Sequence, residues 1–184
     1  VAVQANDSFV VGKAADGSFV MAASDTALKN NFENNIPVPD ETNKVMQKYL
    51  REFMIVGGMP QAVEAFIKTN NFSKVDLVKR DILKLYENDF MKFDSSGRSS
   101  LIFDHIPAEL QKNASRYQIS SVIENARAGT MLERIAKLQD SKTVNIAYHA
   151  NAPEAGLSQN IDLEKFKLFL CDTGLFVTLC FKDK

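Results

Sequence analysis

The sequence has few of the residues that build metal and redox centres. Its 184 residues include only two cysteines and two histidines. Cys171 and Cys180 stand alone near the C-terminus, and no further Cys or His pair completes a zinc set. Two thiols make no disulfide framework, so both are expected to act as small buried apolar side chains. His105 and His149 lie far apart with no partner at ligand spacing, which excludes a metal site or nucleophile triad built on them. Charge of one sign is not in excess either: 22 Lys and Arg face 23 Asp and Glu, for a net charge of −1. That balance excludes a wholly basic nucleic-acid coat and leaves room for a local basic face. No apolar run is long enough to span a bilayer, and no signal peptide opens the chain. A cytoplasmic protein with no membrane partner is expected. The chain starts at Val1 without Met, and neither end carries a punctuating signal, so a fragment of a longer protein is expected.

What is present suits a folded chain. Hydrophobic residues make up 45% and charged residues 24%, enough for a sizeable core in one ordinary domain or two small ones. Residues 8–21 hold two short apolar runs around Asp16-Gly17, a hairpin signal. A short helix is predicted over Thr26 to Glu33. From about Glu41 to Ile55, Val45, Tyr49 and Phe53 recur at fourfold spacing beside Met46, Leu50 and Met54. That wide apolar face predicts a well-buried helix. Gly57-Gly58-Met59-Pro60 ends it, with Pro60 placed to open the next helix over Ala62, Val63, Phe66 and Ile67, which Asn70-Asn71 closes. Ser73 with Asp76 reads as a capping box for a long helix to about Phe90, with Val75, Val78, Ile82 and Leu85 on one face. Asp94-Ser-Ser-Gly97 reads as a linker between subdomains.

The second half changes rhythm. Helical segments are predicted around Leu101 to Ile106, after Pro107, and from Ser120 or Ser121 through Ala126. Thr130 and Glu133 read as a capping box for a helix holding Met131, Leu132, Ile135 and Leu138. Alternation over Thr143–His149 and Lys165–Cys171 predicts an antiparallel hairpin. Short helices followed by two strands and an intervening loop is the order of a winged helix-turn-helix. Thr130–Gln139 would be the recognition helix and Ala150–Asn160 the wing. The fold class expected is α+β, mainly α. Residues 1–35 are left unassigned beyond the first hairpin, 36–95 form a helical subdomain, and 96–184 form the winged helix.

Several strings occur in an order that resembles one family: Val56 to Val63, Lys79 to Leu83, Tyr86 to Phe90, Ile106 to Leu110, Ser120 to Arg127, and Phe166 to Leu175. They look like the helical lid and winged-helix part of bacterial and archaeal AAA-type ATPases, over roughly residues 37–184. The resemblance implies a separate P-loop domain that binds ATP and Mg²⁺ in the full-length relative. It also implies a nucleotide-proximal turn at Gly57, Gly58 and Pro60, and an interdomain role for Arg80 and Asp81. The chain itself has no phosphate loop. Gly12-Lys13 is the nearest text, but Asp7 stands where the first glycine belongs and Ala14 replaces the Mg²⁺ hydroxyl. No ATPase activity and no cofactor are expected of it alone. Its expected role is non-catalytic: coupling nucleotide state to a DNA or protein partner, or, alternatively, serving as a protein interaction module with no nucleic-acid binding.

The basic face would lie in residues 111–142, where six cations face Glu124, Glu133 and Asp140. Arg127, Arg134 and Lys137 are the candidate double-stranded DNA contacts, with Arg134 and Lys137 facing outward from the recognition helix. Asp140-Ser141-Lys142 is too common a tripeptide to indicate a nuclease, and Asp172-Thr-Gly174, lacking a second copy, reads as a strand-end turn rather than an aspartic-protease signature.

Overall fold

In the computed structural model of the chain, the described residues are 11–13, 19–21, 31–151 and 160–182. Their elements run β1 (Val11–Lys13), β2 (Phe19–Met21), α1 (Asp40–Val56), α2 (Pro60–Thr69), α3 (Phe72–Phe93), α4 (Arg98–Asp104), α5 (Ile106–Gln111), α6 (Ile119–Val122), α7 (Ala128–Asp140), β3 (Val144–Ala150), β4 (Ile161–Leu170) and α8 (Thr173–Cys180). The class is α+β and mainly helical. Two compact units divide between Val78 and Lys79, inside α3. Asp94 to Gly97 is a tight turn within the second unit rather than a hinge between them.

In the first unit β1 and β2 pair antiparallel as read from the sequence, and the Asp16-Gly17 turn lies outside the described residues. Of the helix read over Thr26 to Glu33, residues 31–33 are helical and the rest lies outside them. Pro60 opens α2 at its first turn, and Asn70 closes it in the left-handed region at φ 47°. Gly57 ends α1 at φ 81°, a conformation that only glycine adopts without strain. The core of this unit is Val56, Ala62, Phe66 and Val75.

Two expectations fail here. Helix α1 is not well buried: Val56 is its one buried residue, while Leu50 is 56% and Val45 51% exposed. The periodic face is real, but among the described residues little covers it. The cap of α3 is Asn71 rather than Ser73. The Asn71 side-chain oxygen accepts the N–H of Ser73 at 2.9 Å and of Lys74 at 3.3 Å, so two successive asparagines divide the work of closing α2 and opening α3.

In the second unit Phe90 stacks edge-on to Phe103 at 5.2 Å, and Ile102, Ile106, Ile135, Leu138 and Leu168 are fully enclosed. Leu85, read as core, is 61% exposed, and Lys79 takes an inward place at 2%. The Lys79 ammonium donates to the Gly174 carbonyl at 3.1 Å. Its neighbour Arg80 donates to the carbonyls of Lys182 and Phe181 at 2.9 and 3.1 Å. Adjacent residues of α3 thus hold both ends of α8. Asp172 is the α8 cap and accepts the Leu175 N–H at 2.7 Å, so the Asp-Thr-Gly string serves a helix start. Both cysteines are exposed, against the expectation that they pack inside.

Strands β3 and β4 pair antiparallel, Val144 opposite Leu170 and Ile146 opposite Leu168, with the register broken between Tyr148 and His149. The loop that joins them lies largely outside the described residues; Asn151 N–H to the Asn160 carbonyl closes its base at 3.0 Å. The Tyr117 N–H donates to the Phe166 carbonyl at 2.7 Å, a single hydrogen bond to the edge of β4. Helices α5, α6 and α7 followed by this hairpin come in the order read from the sequence.

The contrast between α1 and its neighbours is measurable. Phe66→Ala should lower unfolding free energy by about 3–5 kcal/mol through lost burial and a cavity, and Asn71→Ala by about 1 kcal/mol through the lost cap. Leu50→Gln should change it by no more than about 0.5 kcal/mol. Urea unfolding followed by circular dichroism reads all three; a Leu50 variant as damaging as the Phe66 variant would contradict the exposure of α1.

Candidate functional site

Helix α7 was the expected DNA-reading element, and its buried side is as read: Met131, Ile135 and Leu138 lie in the core. It starts earlier than the Thr130 capping box suggested. Arg127 is the residue before the first turn, and the Thr130 hydroxyl turns back to the Arg127 carbonyl at 2.8 Å.

The outward cations are not free. Arg134 Nε donates to Asp94 Oδ2 at 3.0 Å. Asp94 is buried, and it also accepts the Ser99 N–H at 2.8 Å and the Ser99 hydroxyl at 2.7 Å on the same oxygen. Its other oxygen accepts the Ser96 N–H at 3.2 Å and the Ser96 hydroxyl. Burial alone would raise the Asp94 pKa, but the hydrogen bonds from Ser96, Ser99 and Arg134 outweigh it and hold the carboxyl far below its ordinary range. Lys137 pairs with Glu133 at 2.8 Å and stands 6.0 Å over the Phe93 ring. Its hydrogen bond holds Glu133 below its usual value. The expectation of two outward basic side chains therefore needs correction: the exposed positions of α7 are Gly129, Thr130, Glu133, Ala136, Gln139 and Asp140, a neutral-to-acidic surface.

The first turn of α7 is also occupied. A Cβ added at Gly129 would lie 2.6 Å from Glu164 Oε1, so a carboxylate from β4 packs against the first turn of α7. Arg127, exposed beside it, is the one candidate DNA contact with no carboxylate partner among the described residues.

Lys112, counted in the basic stretch, is likewise committed. It donates to Glu109, whose carboxylate also accepts the Ser121 hydroxyl at 2.7 Å and the Gln118 N–H at 2.9 Å. Burial pushes Glu109 up, and these donors together bring it below its ordinary value. Tyr117, buried beside it, gives its hydroxyl proton to the Ile102 carbonyl at 2.7 Å. Burial first, then the charges of Glu109 and Asp104, raises its pKa.

The remaining candidates fall elsewhere. Gly57 is buried and Gly58 and Pro60 are exposed at the α1–α2 corner. Arg80 serves α8 as described, and Asp81 makes a surface pair with Lys84 at 3.3 Å. The corner glycines belong to the first unit, and Arg80 and Arg127 to the second. No group of three metal-ligating side chains occurs among the described residues, and no helix among them is long and apolar enough to cross a membrane. Residues 47–184 match the family model described as a domain of unknown function (DUF8612). No curated protein and no solved structure matches the chain.

Asp94→Asn keeps the shape and removes the charge, leaving Arg134 half-buried without its anion. It should cost about 2–3 kcal/mol, since Arg134 keeps some solvent. Because the folded-state pKa of Asp94 lies below its unfolded value, its contribution is present above the ordinary carboxylate range and is lost as pH falls below about 4. Urea midpoints from pH 7 to pH 3 should therefore fall more for the parent than for Asp94→Asn; parallel curves would show that Asp94 is not the depressed group.

Proposed function

We propose a function for this chain, which belongs to the DUF8612 family: it is a non-catalytic adaptor for an AAA-type ATPase domain, docking on that protein through α1. The observation that carries the reading is the exposed apolar face of α1. Over 17 residues it exposes Val45, Leu50, Phe53 and Met54, and contiguous exposed apolar surface on a folded chain marks an interaction site. An amphipathic helix laid into a groove is a common way to bind a protein.

Two further observations weigh toward a protein partner and against duplex DNA at α7. Its outward cations are spent on Asp94 and Glu133, and Glu164 covers its first turn. Phosphate contacts by Lys and Arg supply most non-specific DNA affinity, and this helix has few to offer. The ATPase assignment rests on the resemblance of the Gly57 to Pro60 corner and the strings that follow it. Without a phosphate loop the chain itself supplies no Mg²⁺-nucleotide cradle.

A photo-crosslinking amino acid at position 53, in the protein expressed in its own cells, tests the docking. The expected adduct joins position 53 to a polypeptide segment belonging to a P-loop nucleotide-binding domain, while the same probe at exposed position 84 gives none. Equal adducts from both positions, or an adduct with a protein lacking such a domain, would overturn the assignment. Calorimetry of the isolated chain with Mg²⁺-ATP should show no heat of binding; micromolar affinity would contradict the adaptor role.

A further inference from the structure

The uncommitted charges that α7 lacks are found at the β4 edge of the β3–β4 hairpin. Phe166 and Leu168 are buried, so the alternate residues of β4 face outward. The register sets Lys167 opposite Ala147 and Phe169 opposite Asn145, and cross-strand partners share a face. Phe169 is 39% exposed. The Tyr117–Phe166 hydrogen bond ties the segment holding Arg116 to β4, and Arg116 and Lys167 line one open cleft with Leu110 and Ala114. Among the described residues no carboxylate pairs with Arg116 or Lys167; Glu109, at the cleft wall, is consumed by Lys112, Ser121 and Gln118. Lys165 is neutralised by Asp162 at 2.9 Å. The outward members of β3 are Asn145, Ala147 and His149, none of them an acid.

We propose that this face binds single-stranded nucleic acid, independently of the α1 docking surface. Arg116 and Lys167 seat the phosphodiester backbone, and Phe169, about 7 Å along the strand from Lys167, stacks on an unpaired base. Uncommitted cations beside an exposed ring on a sheet surface are the combination that single strands use. A duplex keeps its bases stacked and out of reach of Phe169.

The test is fluorescence anisotropy of the whole chain with labelled oligo-dT of 15 nucleotides and a duplex of equal length, at 50 and 200 mM KCl. The single strand should bind in the range of about 10⁻⁴ to 10⁻⁶ M at physiological salt and lose about sevenfold in affinity between the two concentrations, the effect of two phosphate contacts. Phe169→Ala should weaken binding about tenfold. Arg116→Ser with Lys167→Ser should abolish it, while Arg127→Ser on α7 leaves it intact; circular dichroism confirms that each variant is folded. No binding at 50 mM salt, duplex binding as tight as the single strand, or equal competition by polyglutamate would overturn the proposal. None of these outcomes bears on the crosslink at position 53.

Discussion

The second unit depends on how Asp94 is satisfied. A carboxylate buried at the end of α3 would be expensive without partners, and the chain supplies five donors from three residues. Ser96 and Ser99 come from the turn and first residues of α4, and Arg134 from the middle of α7. One anion therefore fixes the exit of α3, the entry of α4 and the rotation of α7 about its axis. The same rotation sends Met131, Ile135 and Leu138 inward, and it turns the guanidinium that would reach a DNA phosphate back into the protein.

This commitment illustrates how a local positive balance can mislead. Counted along the chain, residues 111–142 are basic; counted in space, Lys112, Arg134 and Lys137 each sit on a carboxylate. Buried or half-buried pairs of this kind favour a defined geometry more than they add net stability. What remains available is displaced: Arg116 before α6, Lys167 on the hairpin, Arg127 before α7, and an apolar row on α1. The proposed adaptor role rests on that distribution rather than on the fold class.

Much of the architecture was legible in the sequence because it rests on short-range signals. The α1 bounds, Pro60 at the start of α2 and the β3–β4 pairing all follow from periodicity, proline placement and alternation, while the helix break read at Pro107 falls at His105. Long-range partners were not legible. Asp94 and Arg134 are forty positions apart, and Asp94 read as linker text. Lys79 occupies an inward helical position among apolar residues, but the carbonyl it meets belongs to Gly174. The face of α1 was visible as a pattern, yet a pattern states that a helix can be covered and not by what. The Asn71 cap was masked by Ser73, which offers the same chemistry two residues later.

The coupling between Asp94 and Arg134 is the most direct measure of this account. A double-mutant cycle with Asp94→Ala, Arg134→Ala and the combined variant, read by urea unfolding at pH 7, isolates it from the serine bonds. A favourable coupling of about 1–3 kcal/mol is expected for a charge-assisted contact with one partner buried. Additive effects within about 0.3 kcal/mol would show that Arg134 stands free in solution, return its charge to the α7 surface, and contradict the withdrawal of that helix from DNA.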